Sequence, residues 1–373
     1  MQAARERAPE VSMAQASSTS SRAALESARL APFGNPYLEV TAERGGQGVT
    51  KDLTVNGTLW MPMELSGQGR SRGREAQDFV LLHGALLEQA RASAAARLLQ
   101  AYGLVVVATE RKAVLVELLA NARSEADLLA ERMKRGDAIR PDASLAGMEV
   151  ARQEVLLAET EADLVRGRAD LARVVGRDEV TETLGSSRPP SLSAPRKLVK
   201  GGTTPHARAL AAEAHFHASA AERWRREGKS TLSVGLSAGR GDYGETRLGG
   251  GVAYAFPTFR TNRPESARAA AESVRASTEQ RIYESVAERQ LRSLRREQEE
   301  VTAALAVLTS KALPAAEDAV RAVRETYAAG KVELLSVLLS QRELSTLSLR
   351  RLELLARSWQ LVAEYVEIAG DLP

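Results

Sequence analysis

The sequence predicts a mainly α protein with a small β part, made of two repeats that each combine helical hairpins with one β-hairpin. Three observations point there. Aromatic residues are only 4% of 373 in a chain rich in Ala, Leu, Arg and Glu, a composition suited to long helices in close side-by-side contact rather than to one large core. Punctuation recurs at a fixed offset: Pro62 answers to Pro257 after 195 residues, and Gly136 to Gly330 and Gly176 to Gly370 after 194. Around these marks the order of elements repeats as well: a helix, two short alternating segments, a very long helix, a break at Gly, and a shorter helix. The chain therefore reads as one protomer with repeats at about 5–176 and 205–370 and a linker at about 177–204.

The elements follow in order. A first helix is expected from roughly Arg5 to Ala31, matched in the second repeat by Pro205 to Glu227. In the first hairpin, at about 35–62, Leu38, Val40 and Ala42 alternate with polar residues, as do Leu53, Val55, Leu59 and Met61. In the second, at about 230–257, Leu232, Val234, Leu236 and Ala238 alternate in the same way, followed by Leu248, Val252, Tyr254 and Phe256. Period two means strands, and the Gly-rich stretches after Arg44 and Ala238 turn them into hairpins. Each strand has about nine residues, with Tyr37, Trp60, Tyr254, Phe256 and Phe259 gathered away from the turns. That is the length and aromatic girdle of a strand crossing an outer membrane. Four strands cannot close a barrel, and open edges stay unsatisfied in lipid, so a spanning role requires several chains per barrel.

The long helices, from about Glu64 to Lys134 and from about Arg263 to Ala329, have near 70 residues each, on the order of 100 Å. The segments after the Gly breaks, Asp142 to Val175 and Glu333 to Ala369, are about half as long. The Asp142 helix carries two apolar stripes. One runs through Val155, Ala158, Ala162, Val165, Ala169 and Ala172; the other runs through Leu157, Thr160, Leu164, Gly167, Leu171 and Val174. Two stripes separated by charged faces give a helix two neighbours and two wet sides, as the wall of a water-filled tube requires. A middle helix in a flat layer, or a long soluble coiled coil, has similar seams.

Other classes are excluded or unsupported. The absence of Cys removes disulfides, thiolate metal sites and Cys nucleophiles. Lys and Arg number 51 against 48 Asp and Glu, with no basic patch interleaved with aromatics, so no nucleic-acid partner is expected. No apolar run approaches the ~18 residues of a spanning helix. His215 and His217 stand two apart on a helix and cannot chelate together, and no phosphate-binding loop, dinucleotide motif or nucleophile elbow is present. No enzyme, no metal site and no cofactor are therefore expected. Met1 to Ser20 shows neither a hydrophobic signal core nor a cleavage pattern.

With Asn35-Pro36 ahead of a hairpin, the helix end Glu325-Thr326-Tyr327-Ala328-Ala329-Gly330, the run Leu335 to Leu344 and the paired repeat, the chain resembles the TolC family of outer-membrane efflux proteins. Within that family it is more similar to the branch serving metal and drug pumps of the resistance-nodulation-division type. The resemblance implies a homotrimer with a twelve-stranded barrel in outer-membrane lipid and a helical tunnel in the periplasm. It implies a passive exit duct for drugs or metal ions, partnered by a periplasmic adaptor protein and an inner-membrane pump. Gly136, Asp137, Gly330, Lys331 and Val332 match the hairpin tips that dock on the adaptor, and Tyr37, Trp60, Tyr254 and Phe256 would form the girdle. Tyr327 matches the aperture Tyr, with Arg324 and Glu333 supplying charge nearby; the family's partner positions on the following helix fall on Val332, Ser336 and Leu339, so the familiar aspartate ring is missing. The family also implies a signal peptide ahead of Met1, hence a misplaced start or a truncated form. A soluble helical scaffold and the duct of a type I protein secretion system stay open as alternatives.

Overall fold

The computed structural model describes residues 6, 8–28, 33–45, 52–136, 139–176, 188–192, 204–240, 245–256 and 261–370. The expectations on Asp137, Pro257 and Phe259, on the two Gly-rich turns and on most of the linker lie outside them. The elements run α1 (Pro9–Ala28), β1 (Tyr37–Gly45), β2 (Asp52–Met63), α2 (Gln68–Arg135), α3 (Arg140–Val175), α4 (Pro205–Glu227), β3 (Leu232–Arg240), β4 (Thr246–Tyr254), α5 (Arg263–Val307), a π-helical turn (Leu308–Ala312), α6 (Leu313–Ala328) and α7 (Leu334–Ala369). None of the described helices is long and apolar enough to cross a membrane.

Positive backbone φ recurs at the spacing read from the sequence. Outside ordinary conformations stand Gly67, Gly136, Gly176, Asn262, Gly330 and Gly370, all with positive φ. They form three pairs at the two offsets read from the sequence. Gly67 and Asn262 each precede a long helix, and the carbonyl of each accepts the N–H four residues on, from Ser71 and Ser266. Gly136 and Gly330 end the long helices; Gly176 and Gly370 end the shorter ones with left-handed caps. The pairing of Gly67 with Asn262 was not visible in residue type, since Asn is the commonest non-Gly residue to take this conformation.

The chain divides into two compact units that cut across the repeats. The first holds Met1–Met13, Glu88–Pro205 and Ser285–Pro373. Its core is a cluster of Ala95, Leu99 and Val107 from α2 with Leu352, Leu355, Trp359, Val362 and Val366 from α7. A second cluster joins Leu98, Ala101 and Val105 of α2 to Leu164 and Leu171 of α3. Of the two stripes on α3, the one through Thr160, Leu164, Gly167 and Leu171 is therefore buried within the chain. The other is open from Val155 to Ala169: Val155 is 57% and Val165 70% exposed, and Ala158, Ala162 and Ala169 are exposed with them, while Ala172 at its end is buried.

The expected uninterrupted helix from Arg263 to Ala329 is corrected at Leu308–Ala312. Pro314 has no N–H to give the carbonyl of Ser310, and its ring crowds that carbonyl. The helix widens by one residue just ahead of it, so that the Leu313 N–H reaches back to the Leu308 carbonyl. The signal was the proline itself.

The second unit holds Ala14–Leu87 and His206–Glu284. Its antiparallel sheet has the order β1-β2-β3-β4, with the two hairpins joined through β2 and β3. Ion pairs tie the helices of this unit together. Arg223 of α4 meets Glu75 of α2 at 2.5 Å, where burial pushes the Glu75 carboxyl above its ordinary pKa against the pull of the Arg223 charge. Arg275 of α5 donates to the carboxylates of Glu272, Glu279 and Glu213, which raise its own pKa, and the last links α5 to α4.

Candidate functional site

Two places gather the residues singled out by sequence: the helix tips and the sheet. At the tips, α2 ends on Gly136 and α6 ends ahead of Gly330, whose N–H groups donate to Met133 and Tyr327 carbonyls. A Cβ added at either glycine meets nothing within 4 Å, so positive φ, not crowding, is what asks for glycine there. Replacing either by Ala is expected to lower stability by about 1 kcal/mol through backbone strain, and Asn should cost less; equal thermal midpoints for Gly330→Ala and wild type would refute this. Lys331 is exposed and Val332 half-buried, while Ile139, Leu335 and Leu339 present exposed apolar side chains close by in sequence.

Behind the tips lies a cleft of about 280 Å³ lined by Glu125, Leu128, Arg132, Arg324, Tyr327 and Val337, among others. Its floor is the cluster Leu129, Ala146, Leu334 and Val337. Arg324 donates to Glu125 at 2.8 Å, Gln341 donates to the same carboxylate, and the Arg132 guanidinium stands 4.9 Å from the Tyr327 ring centroid. Tyr327 and Arg324 thus come together, but Glu333 stands exposed at the start of α7, outside this cluster. Sequence reasoning sought the partners of Tyr327 on the helix that follows it. The charged group at the ring is Arg132 of α2, in the other repeat, seven residues from Glu125 and so on the same face, while α7 supplies only the apolar Leu334 and Val337.

In the sheet the usual alternation of a soluble protein is reversed. Val234, Leu236 and Leu248 are 41%, 71% and 83% exposed, whereas Gly235 on the other face is buried. The polar face carries Glu39, Thr41, Thr58, Asn56 and Ser237. Register corrects half of the expected girdle: Tyr37 lies opposite Trp60, and both fall on the polar face because Trp60 sits between Leu59 and Met61. The Trp60 indole donates to Glu39 at 2.8 Å and lies over Gly235 and Gly251, where any Cβ would strike it. Tyr254 is on the apolar face, and Phe256 stacks edge-on against it at 4.9 Å.

No family model matches the chain. The cobalt-zinc-cadmium resistance protein CzcC of Cupriavidus metallidurans is 27% identical over 350 residues, covering 92% of this chain and 82% of that protein. The outer membrane protein VceC of Vibrio cholerae superposes with a TM-score of 0.81 at 17% identity, over 100% of this chain and 95% of that one. The outer-membrane channel OprN does so with a TM-score of 0.79 at 19% identity, over 100% and 89%. This is the fold of the TolC family of outer-membrane channels. The four-stranded sheet and the long helices broken at Gly are the features this chain shares with that fold. Among its described residues no group of three or more His, Asp or Glu is placed to hold a metal ion. The exposed part of the α3 stripe and the exposed apolar strand face are both apolar surfaces left uncovered among the described residues.

Proposed function

We propose that this chain is the outer-membrane exit duct of a tripartite efflux system, a homotrimer whose three sheets close one twelve-stranded barrel. Substrate passes through it from an inner-membrane pump by way of a periplasmic adaptor, with no chemistry in this chain. The observation that carries the reading is the sheet itself. Its apolar face is exposed on every strand, and among the described residues its outer strands β1 and β4 have no further strand beside them. Closure with identical copies satisfies both edges, and lipid covers the apolar face. The relative named for cobalt, zinc and cadmium resistance favours divalent metal cations as cargo over drugs. Gly136, Gly330, Lys331 and Val332, with the exposed Leu335 and Leu339, form the surface offered to the adaptor.

Fractionation and cross-linking are expected to find a trimer in outer membranes, and loss of the gene should sensitise cells to zinc, cobalt or cadmium. A monomer in the soluble fraction removes the proposal. The Glu125 cluster acts as the latch of the closed tip, joining α2 to α6 and α7. Arg324→Ala with Gln341→Ala should raise single-channel conductance in planar bilayers severalfold while far-UV circular dichroism stays unchanged; unaltered conductance rules the latch out.

A further inference from the structure

The apolar face of the sheet ends differently at its two margins. At the margin from which the helices depart, Met63, Leu232 and Tyr254 stand opposite one another, with Phe256 packed on Tyr254. Towards the turns, Ala42, Val55 and Arg240 form one row, and Arg44, opposite Leu53, begins the next. Cross-strand partners share a face, so Arg44 and Arg240 point the same way as the apolar residues. Both are exposed. Among the described strand residues of this face they are the only charges, and both are positive. The path along β2 from Met63 to Val55 is about 27 Å, or about 20 Å of height after a strand tilt near 40°, close to the apolar band of an outer-membrane barrel. The arginines therefore sit where hydrocarbon gives way to head groups.

We propose that Arg44 and Arg240 form a binding site for the phosphates of the outer-leaflet glycolipid, lipid A. The inference rests on the membrane-spanning reading of the sheet. Two strand spacings and one two-residue step put the Cα atoms about 12 Å apart, which two arginine side chains bridge to the two ends of a bisphosphorylated disaccharide. Guanidinium is the side chain best matched to phosphate, giving paired hydrogen bonds as well as charge. A neutral head group has nothing to offer two cations on one lipid-facing margin. Arg247 supplies the contrast: it lies at the same height on the polar face, opposite Gly239, and is paired with Glu245 at 2.5 Å.

The test uses the full chain, purified in detergent and reconstituted into phosphatidylcholine vesicles, with fluorescent lipid A in its bisphosphorylated and dephosphorylated forms. Protection of the strand segments from protease in the vesicles reports insertion. Arg44→Gln with Arg240→Gln should insert as wild type does but bind bisphosphorylated lipid A roughly ten- to thirtyfold more weakly, each single variant lying between. Arg247→Gln should bind like wild type, and dephosphorylated lipid A should bind all variants weakly and alike. Insertion with undiminished binding in the double variant overturns the lipid A site alone. Failure of wild type itself to insert overturns the membrane reading and the site together.

Discussion

Replacing Trp359 by Ala is expected to cost about 3–5 kcal/mol of stability, the loss typical of deleting a fully buried aromatic ring. Trp359 is 4% exposed, stands at the centre of the α2–α7 core and packs edge-on against Tyr102 with ring centroids 5.3 Å apart. It gets that close to α2 because position 103 is Gly. A Cβ built there would lie 2.5 Å from the Trp359 Cβ and 2.6 Å from its Cγ. These are atoms near the backbone of α7 and cannot swing aside, so the helices must part. Gly103→Ala gains about 0.5–1 kcal/mol of helix propensity but forfeits more by overpacking, and a net loss of about 1–2 kcal/mol is expected. The two changes share one contact and are not additive. In the Trp359→Ala background the alanine at 103 should cease to harm and regain its helix preference. Denaturant unfolding of the four-member cycle measures this; equal harm from Gly103→Ala in both backgrounds would show that the contact is not the cause.

Val155→Glu with Val165→Glu should abolish the proposed trimer while leaving the chain helical. These valines stand on the stripe of α3 that is exposed from Val155 to Ala169, and they lie ten residues apart with the exposed Ala158 and Ala162 between them. Small residues flanked by branched ones allow close approach of another helix. A carboxylate at each valine is harmless against water and costly in a seam, since a buried unpaired charge costs several kcal/mol. Sedimentation in detergent is expected to give monomer, with circular dichroism unchanged. A trimer surviving both substitutions would assign the stripe to something other than subunit contact. The same substitution on the buried stripe, Leu164→Glu, should instead unfold the α2–α3 cluster, because Leu164 packs there against Leu98, Ala101 and Val105.

Most of the fold was legible because it rests on periodicity and punctuation. Alternation marked all four strands, and Gly136, Gly176, Gly330 and Gly370 marked the helix ends at positions where left-handed backbone favours glycine. Pro314 carried an equally local signal, which the reading of one helix from Arg263 to Ala329 left out. The site was harder to read for a different reason. Glu125 and Arg324 are 199 residues apart, and nothing local to either names the other. Trp60 was grouped with the girdle by its type and its place at the strand end. Type alone does not set direction; parity within the strand does, and parity puts it over two glycines instead of in lipid.

The π turn before Pro314 occurs in only one of the two long helices, since α2 continues as regular helix through the corresponding stretch around Ala120. A tube wound from three copies would otherwise have six nearly equivalent staves. In the proposed trimer this defect would fall in alternate staves, so regular helices would alternate with interrupted ones and the sixfold wall would become threefold. Any force applied at the tips would then be taken up at three yielding points on the circumference while the staves between them hold their line.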